Sequence, residues 1–239
     1  MHPAFAQTDH RPWPLPGKPW AWQQVWLDLL FVHFEADPAE LRARLPRGLE
    51  LDLFEGKAWI GVVPFRMQGV TKRGWPAPAF TSDFPEINVR TYVTDGRKRG
   101  VWFLSLDAGS HLAVQMARWF FHLPYFHARM TAIDAAGVYR YASRRPGHEF
   151  VAEYRPGQTA VSRPGSFAHW ATERYCLYTV TRAGVLLRAE IQHPPWPLQQ
   201  AQLAIQVNTL AEVRLGAMHP EILFAKRVDV VVWPLEQLN

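Results

Sequence analysis

The chain has 239 residues, 48% of them hydrophobic and 20% charged, which is enough apolar material for one sizeable core without staples. Its net charge of +5 comes from twenty-one Arg and five Lys scattered among acids, so the basic stripe of a nucleic-acid binder is excluded. One cysteine, Cys176, excludes an internal disulfide framework, and no apolar run approaches the ~18 residues that a spanning helix needs.

Residues 1–20 are rich in proline and tryptophan and show no periodicity, so they are expected to form an extended or loosely docked arm, with 21–239 as a single domain. Trp22–Phe34 reads as a strand. Asp37-Pro38-Ala39-Glu40 opens a helix: an acid at the N-cap, proline at the first helical position and a glutamate at the capping-box position. Ala58–Met67 is a strand whose Pro64 implies an edge or a bulge, and a loop is expected over 68–83. The strand 86–93 and Gly100–Asp107 flank Asp95-Gly96 as an antiparallel hairpin. Ser110 caps a helix over His111–Phe121, halted near Pro124. Strands are expected at 126–133, 138–145 and 149–155, then a short helix at Ser166–Glu173 and a hairpin of Tyr175–Thr181 with Val185–His193. Leu198–Leu210 reads as a helix and Arg227–Trp233 as the last strand. Many short strands with few helices predict a mainly β (α+β) domain, its antiparallel sheet curling toward closure as a β-barrel.

The most informative stretch is Pro85-Glu86-Ile87-Asn88-Val89-Arg90-Thr91-Tyr92-Val93. A two-residue period puts Glu86, Asn88, Arg90 and Tyr92 on one face and Ile87, Val89, Thr91 and Val93 on the other. That polar face meets either water or an enclosed cavity. Ser105 and Asp107 share one face of the next strand. If the face is enclosed, Arg90 is a ready partner for a carboxylate ligand and Glu86 a general acid or base with a displaced pKa. Metal-site spacings are absent: His122 and His127 lie five apart, and His33, His169 and His193 read as core or surface residues. Neither a nucleophile elbow nor a phosphate-cradling glycine loop occurs, and Cys176 inside an apolar strand reads as an inert buried thiol.

The same residues carry a family resemblance. Pro85–Val93, Gly100-Val101-Trp102-Phe103-Leu104-Ser105-Leu106-Asp107, Leu123-Pro124-Tyr125, His193-Pro194-Pro195-Trp196-Pro197-Leu198 and Val228-Asp229-Val230 resemble, in order, the signature of the YqjF-like proteins. The resemblance covers about Trp22 to Leu235. It implies the acetoacetate decarboxylase-like fold, a closed cone-like antiparallel barrel around a small-molecule cavity with flanking helices. In the decarboxylases a lysine after a Gly-x-Pro turn forms a Schiff base with the keto substrate; the matching position here is Tyr125, after His122-Leu123-Pro124. Glu86 corresponds to an acid lining the decarboxylase pocket, and Asn88 and Arg90 belong to the YqjF-like pattern.

The expectation is therefore a cytoplasmic barrel that binds a small carboxylate or carbonyl compound. Asn88, Arg90, Tyr92, Ser105 and Asp107 would bind it, with Glu86 and Tyr125 as the catalytic pair if chemistry is lyase-like. No cofactor, nucleic-acid partner or membrane association is expected, and a homo-oligomer is compatible with the sequence. Two alternatives stand beside this: a ligand-binding protein or sensor without turnover, and an interaction module that uses the Trp-rich arm.

Overall fold

The computed structural model describes residues 1–76, 83–216 and 219–238. Its strands are β1 (Trp22–Ala36), β2 (Glu50–Leu51), β3 (Ala58–Lys72), β4 (Phe84–Thr94), β5 (Arg99–Ala108), β6 (Tyr125–His127), β7 (Arg129–Ala135), β8 (Val138–Arg145), β9 (His148–Thr159), β10 (Cys176–Val180), β11 (Leu186–Gln192), β12 (Leu198–Asn208), β13 (Glu221–Val232) and β14 (Glu236–Gln237). Three α-helices intervene: α1 (Pro38–Arg42), α2 (His111–Phe121) and α3 (Phe167–Thr172). Each helix begins at the cap read from the sequence: the side chains of Asp37, Ser110 and Ser166 accept from Ala39, Ala113 and His169 backbone N–H groups.

Hydrogen bonding runs β11-β10-β5-β4-β3-β1-β13, and β13 returns to β11 through Ile191↔Val232 and Gln192↔Val231. Seven strands thus close into a ring. One joint departs from the expected antiparallel pattern: β10 runs parallel to β5, pairing Leu177 with Val101 and Tyr178 with Trp102. Gly100 makes that approach possible, since a Cβ there would lie 2.6 Å from the Cys176 carbonyl oxygen. Outside the ring the sheet continues β13-β12-β9-β8-β7.

The extension doubles back over the ring, so β1, β3 and β4 are covered on both faces. One core, inside the ring, gathers Leu29, Phe31, Val63, Phe65 and Leu106 with Ile191, Trp196 and Val230. The other, outside it, packs Leu30, Val32, Ile60, Val62, Ile87 and Val89 against Tyr139, Tyr141, Phe150 and Tyr154. Ile87 and Val89 are thus drawn to the outer core, which turns the polar alternates of β4 inward rather than toward water.

Pro64 lies in an interior strand, opposite an interruption of the β1–β3 ladder in which β1 carries one extra residue. Asp28, in that bulge, takes a left-handed φ of 56°. The segment Leu198–Leu210 is corrected from helix to strand β12. Gln, Leu and Ala favour helices, but Gln199, Ala201, Leu203, Ile205 and Val207 alternate with more exposed neighbours, and pairing with β9 and β13 realises that two-residue period. Of the loop expected over 68–83, residues 68–72 prolong β3 and 77–82 lie outside the described residues.

The N-terminal arm is firmly docked rather than loose. Arg11 is buried, donating to Glu190 at 2.8 Å, to Gln192 at 2.9 Å and to the Ile191 carbonyl at 2.6 Å. Gln192 in turn donates to the carbonyls of Ala4 and Gln7. Among the described residues, no helix is long and apolar enough to cross a membrane.

Candidate functional site

A cavity of about 170 Å³ lies inside the ring, and Glu86, Asn88 and Arg90 project into it from alternate positions of β4. Tyr125 joins them because β6 runs parallel to β5, with Leu106 beside Tyr125 and the Leu106 N–H bonded to the Pro124 carbonyl. The Tyr125 hydroxyl donates to Glu86 Oε2 at 2.9 Å. Two further bonds hold the pair in place: Tyr141 donates to the Glu86 carbonyl at 2.6 Å, and Arg118 of α2 donates to the Tyr125 carbonyl at 2.6 Å.

The rest of the wall is apolar. Phe65, Met67, Trp26 and Trp196 come from the ring and its connections, while Ala113, Met116, Ala117, Phe120 and Phe121 come from one stripe of α2, which closes the cavity like a cover. These α2 residues recur at helical spacing, a signal that was present in the sequence but marks only an apolar stripe, of which Met116 and Phe120 remain exposed on their outer side. Trp196 stacks on Trp26 at 6.0 Å and meets Phe31 edge-on at 5.0 Å.

Burial sets the electrostatics. Glu86 is 2% exposed, and desolvation pushes its pKa from 4.5 up to about 8, with the Tyr125 hydrogen bond only partly offsetting it. At neutral pH its carboxyl is therefore largely protonated. Desolvation also drives the Tyr125 phenol well above its ordinary value, with the neighbouring Glu86 adding to the effect. Arg90 is buried yet has no carboxylate within salt-bridge distance among the described residues. Its Nε makes no hydrogen bond, and one Nη reaches only the Ala171 carbonyl at 3.5 Å. Its guanidinium lies 5.5 Å from the Phe31 ring centre and 5.7 Å from that of Tyr92. The Asn88 Oδ1 beside it is likewise buried without a partner.

Tyr92 continues the polar face but stands beyond the cavity, packed 4.4 Å from Trp170 and hydrogen-bonded to His33 at 2.5 Å. Burial, reinforced by the Arg90 charge, lowers the His33 pKa to about 3, so the imidazole is neutral. Ser105 and Asp107 lie on the opposite face and do not meet the cavity. The β4–β5 register decides this: Asp107 pairs with Ile87 and Ser105 with Val89, both outer-core residues, whereas Leu106 pairs with Asn88. A bulge at Leu104 brings Phe103 opposite Arg90. Cys176 is fully buried, and desolvation pushes its thiol up to about 12. Among the described residues, no three His, Cys, Asp or Glu side chains cluster closely enough to hold a metal ion.

Comparison with known proteins places this geometry in a family. The model of the DUF2071 family, described as uncharacterized conserved proteins, matches residues 23–229. The chain belongs to the DUF2071 family. A DUF2071 relative, the uncharacterized protein YqjF of Bacillus subtilis (strain 168), is 41% identical over 230 residues, covering 93% of this chain and 95% of that protein. Solved structures extend the likeness beyond DUF2071. An acetoacetate decarboxylase-like enzyme from Sphingomonas wittichii RW1 superposes with a TM-score of 0.65 at 14% identity, covering 96% of this chain and 98% of that one. The enduracididine biosynthesis enzyme MppR, solved with pyruvate, gives 0.66 at 13% identity, covering 93% and 91%. At such identities the likeness establishes the fold, which is the acetoacetate decarboxylase-like fold.

Proposed function

We propose that the interior cavity binds a small, partly apolar carboxylate or carbonyl compound, its anionic group on Arg90 and Asn88 and its carbonyl beside the Glu86–Tyr125 pair. The observation that carries this reading is the buried Arg90 guanidinium, which has no counter-ion among the described residues. Holding a charge out of water costs several kcal/mol unless an opposite charge and hydrogen-bond acceptors arrive with the ligand, and a carboxylate brings both. The aromatic and aliphatic wall suits the remainder of such a molecule. MppR, which shares the fold, was solved with pyruvate, a compound of this class.

The chemistry that fits is proton transfer without an imine. No lysine lines the cavity among the described residues, and Tyr125 stands at the position that the family resemblance equates with the Schiff-base lysine. A protonated Glu86, steered by Tyr125, donates a proton to a substrate carbonyl. Once ionised by that step, it takes a proton from the carbon next to the protonated carbonyl, and the C–H electron pair becomes the C=C bond of an enol.

Calorimetric titration with pyruvate and with its neutral analogue pyruvamide tests the binding step. Saturable binding of pyruvate alone is expected, weakened at least about tenfold in Arg90→Gln, given what hydrogen bonds to charged groups contribute. Equal binding of the amide, or an unaffected Arg90→Gln variant, would overturn the proposal. Exchange of the pyruvate methyl protons in deuterated water tests the proton transfer. Glu86→Gln should keep affinity and lose exchange, whereas binding without exchange in the unmodified protein assigns the site to ligand capture without turnover.

A further inference from the structure

Ser105, which the interior cavity leaves out, lines a different hollow, and Asp107 anchors an arginine of its wall. On the outer face of β5, a second cavity of about 490 Å³ lies between Trp102, Ser105, Phe126, Arg145 and His148. Arg145 is held there in a fixed pose. Its Nε donates to Asp107 Oδ1 at 2.8 Å, Ser143 donates to Asp107 Oδ2 at 3.1 Å, and its guanidinium lies 4.4 Å from the centre of the Phe126 ring. The Asp107 side chain is 1% exposed and that of Arg145 11%, so the ion pair is buried. The far end of the guanidinium is uncommitted: Nη1 and Nη2 make no hydrogen bond among the described residues, and neither does the Ser105 hydroxyl. Arg44 and His148, the other basic groups of the wall, are already engaged by Glu212 at 3.2 and 3.4 Å.

We propose that this outer cavity is a second binding site, for a small organic anion on a flat aromatic body, its carboxylate or phosphate held by Arg145 and Ser105. An arginine whose Nε is fixed by a carboxylate still presents N–H groups from both terminal nitrogens, a spacing that matches two oxygens of one anion. Trp102 and Phe126 supply ring contacts, and Pro124 and Leu210 complete an apolar border. Asp107 neutralises the Arg145 charge, so long-range attraction for bare ions is weak. Hydrogen bonding together with ring contact therefore selects aromatic anions over inorganic ones. The two cavities lie on opposite faces of β5, with Phe103 bordering both, so occupancy of one does not exclude the other.

The test is calorimetric titration of the full chain with benzoate, phenyl phosphate, inorganic phosphate and benzyl alcohol. Saturable binding of an aromatic anion is expected, with benzyl alcohol and inorganic phosphate much weaker; whichever anion is preferred assigns the carboxylate or the phosphate class. Arg145→Gln should weaken binding at least about tenfold. Ser105→Leu fills the hollow while leaving the Asp107–Arg145 pair intact, and should do the same in a protein that folds normally. Absence of saturation at millimolar concentrations, benzyl alcohol binding as well as benzoate, or a soaked crystal with the anion at Arg90 instead of Arg145 would overturn the proposal.

Discussion

Replacing Glu86 by Gln should change how stability depends on pH, and by an amount that follows from the enclosure of that carboxyl. In the folded protein the group ionises at about 8, whereas its ordinary value is 4.5. Between those two pH values the unfolded chain has released the proton and the folded chain still holds it, so stability falls as pH rises. Below 4.5 both states are protonated and above 8 both are ionised, so the dependence is confined to that window. The span from 4.5 to about 8, at about 1.4 kcal/mol per pH unit, amounts to about 5 kcal/mol. Gln cannot ionise, yet its amide oxygen still accepts from Tyr125. The stability of the parent protein minus that of Glu86→Gln should therefore fall by about 4 kcal/mol between about pH 5 and 9. Urea unfolding of both proteins across that range measures it. Taking the difference cancels the acid-side titrations of His33 and His193, whose folded values are lowered to about 3 and about 4 by burial. A difference that stays level across the range would mean that the carboxyl ionises normally, and the enclosed acid would lose its basis.

Three further outcomes are expected. Arg90→Met removes a buried charge that has no counter-ion among the described residues, so it should raise unliganded stability by about 1–3 kcal/mol while abolishing carboxylate binding; a lowered melting temperature would show that the guanidinium is already compensated. Gly100→Ala drives a methyl into the Cys176 carbonyl, its thiol and the Tyr178 ring, all within 2.8 Å, and should destabilise by about 2–3 kcal/mol in chemical denaturation. Arg11→Ala leaves Glu190 with the Lys98 ion pair and the Trp13 hydrogen bond, and strips donors from Gln192 and the Ile191 carbonyl; a loss of about 3 kcal/mol is expected, and a neutral result would mean that the arm adds little to the fold.

Local chemistry determined much of this protein by itself. Cap residues Asp37, Ser110 and Ser166 mark all three α-helices, and the alternation of β4 names Glu86, Asn88 and Arg90 as one set, because both signals act within a few residues of the chain. Where local rules competed, the contacts across the sheet decided. Leu198–Asn208 carries helix-forming residues in a strand period, and pairing with β9 settles it as β12. Only the tertiary structure could say that the polar face of β4 is enclosed, since this needed the outer sheet to claim Ile87 and Val89 and α2 to cover the ring. It also separated Ser105 and Asp107 from that face. Which side of β5 a residue occupies depends on its register with β4, and one extra residue at Leu104 shifts that register in a way that no pattern within β5 records.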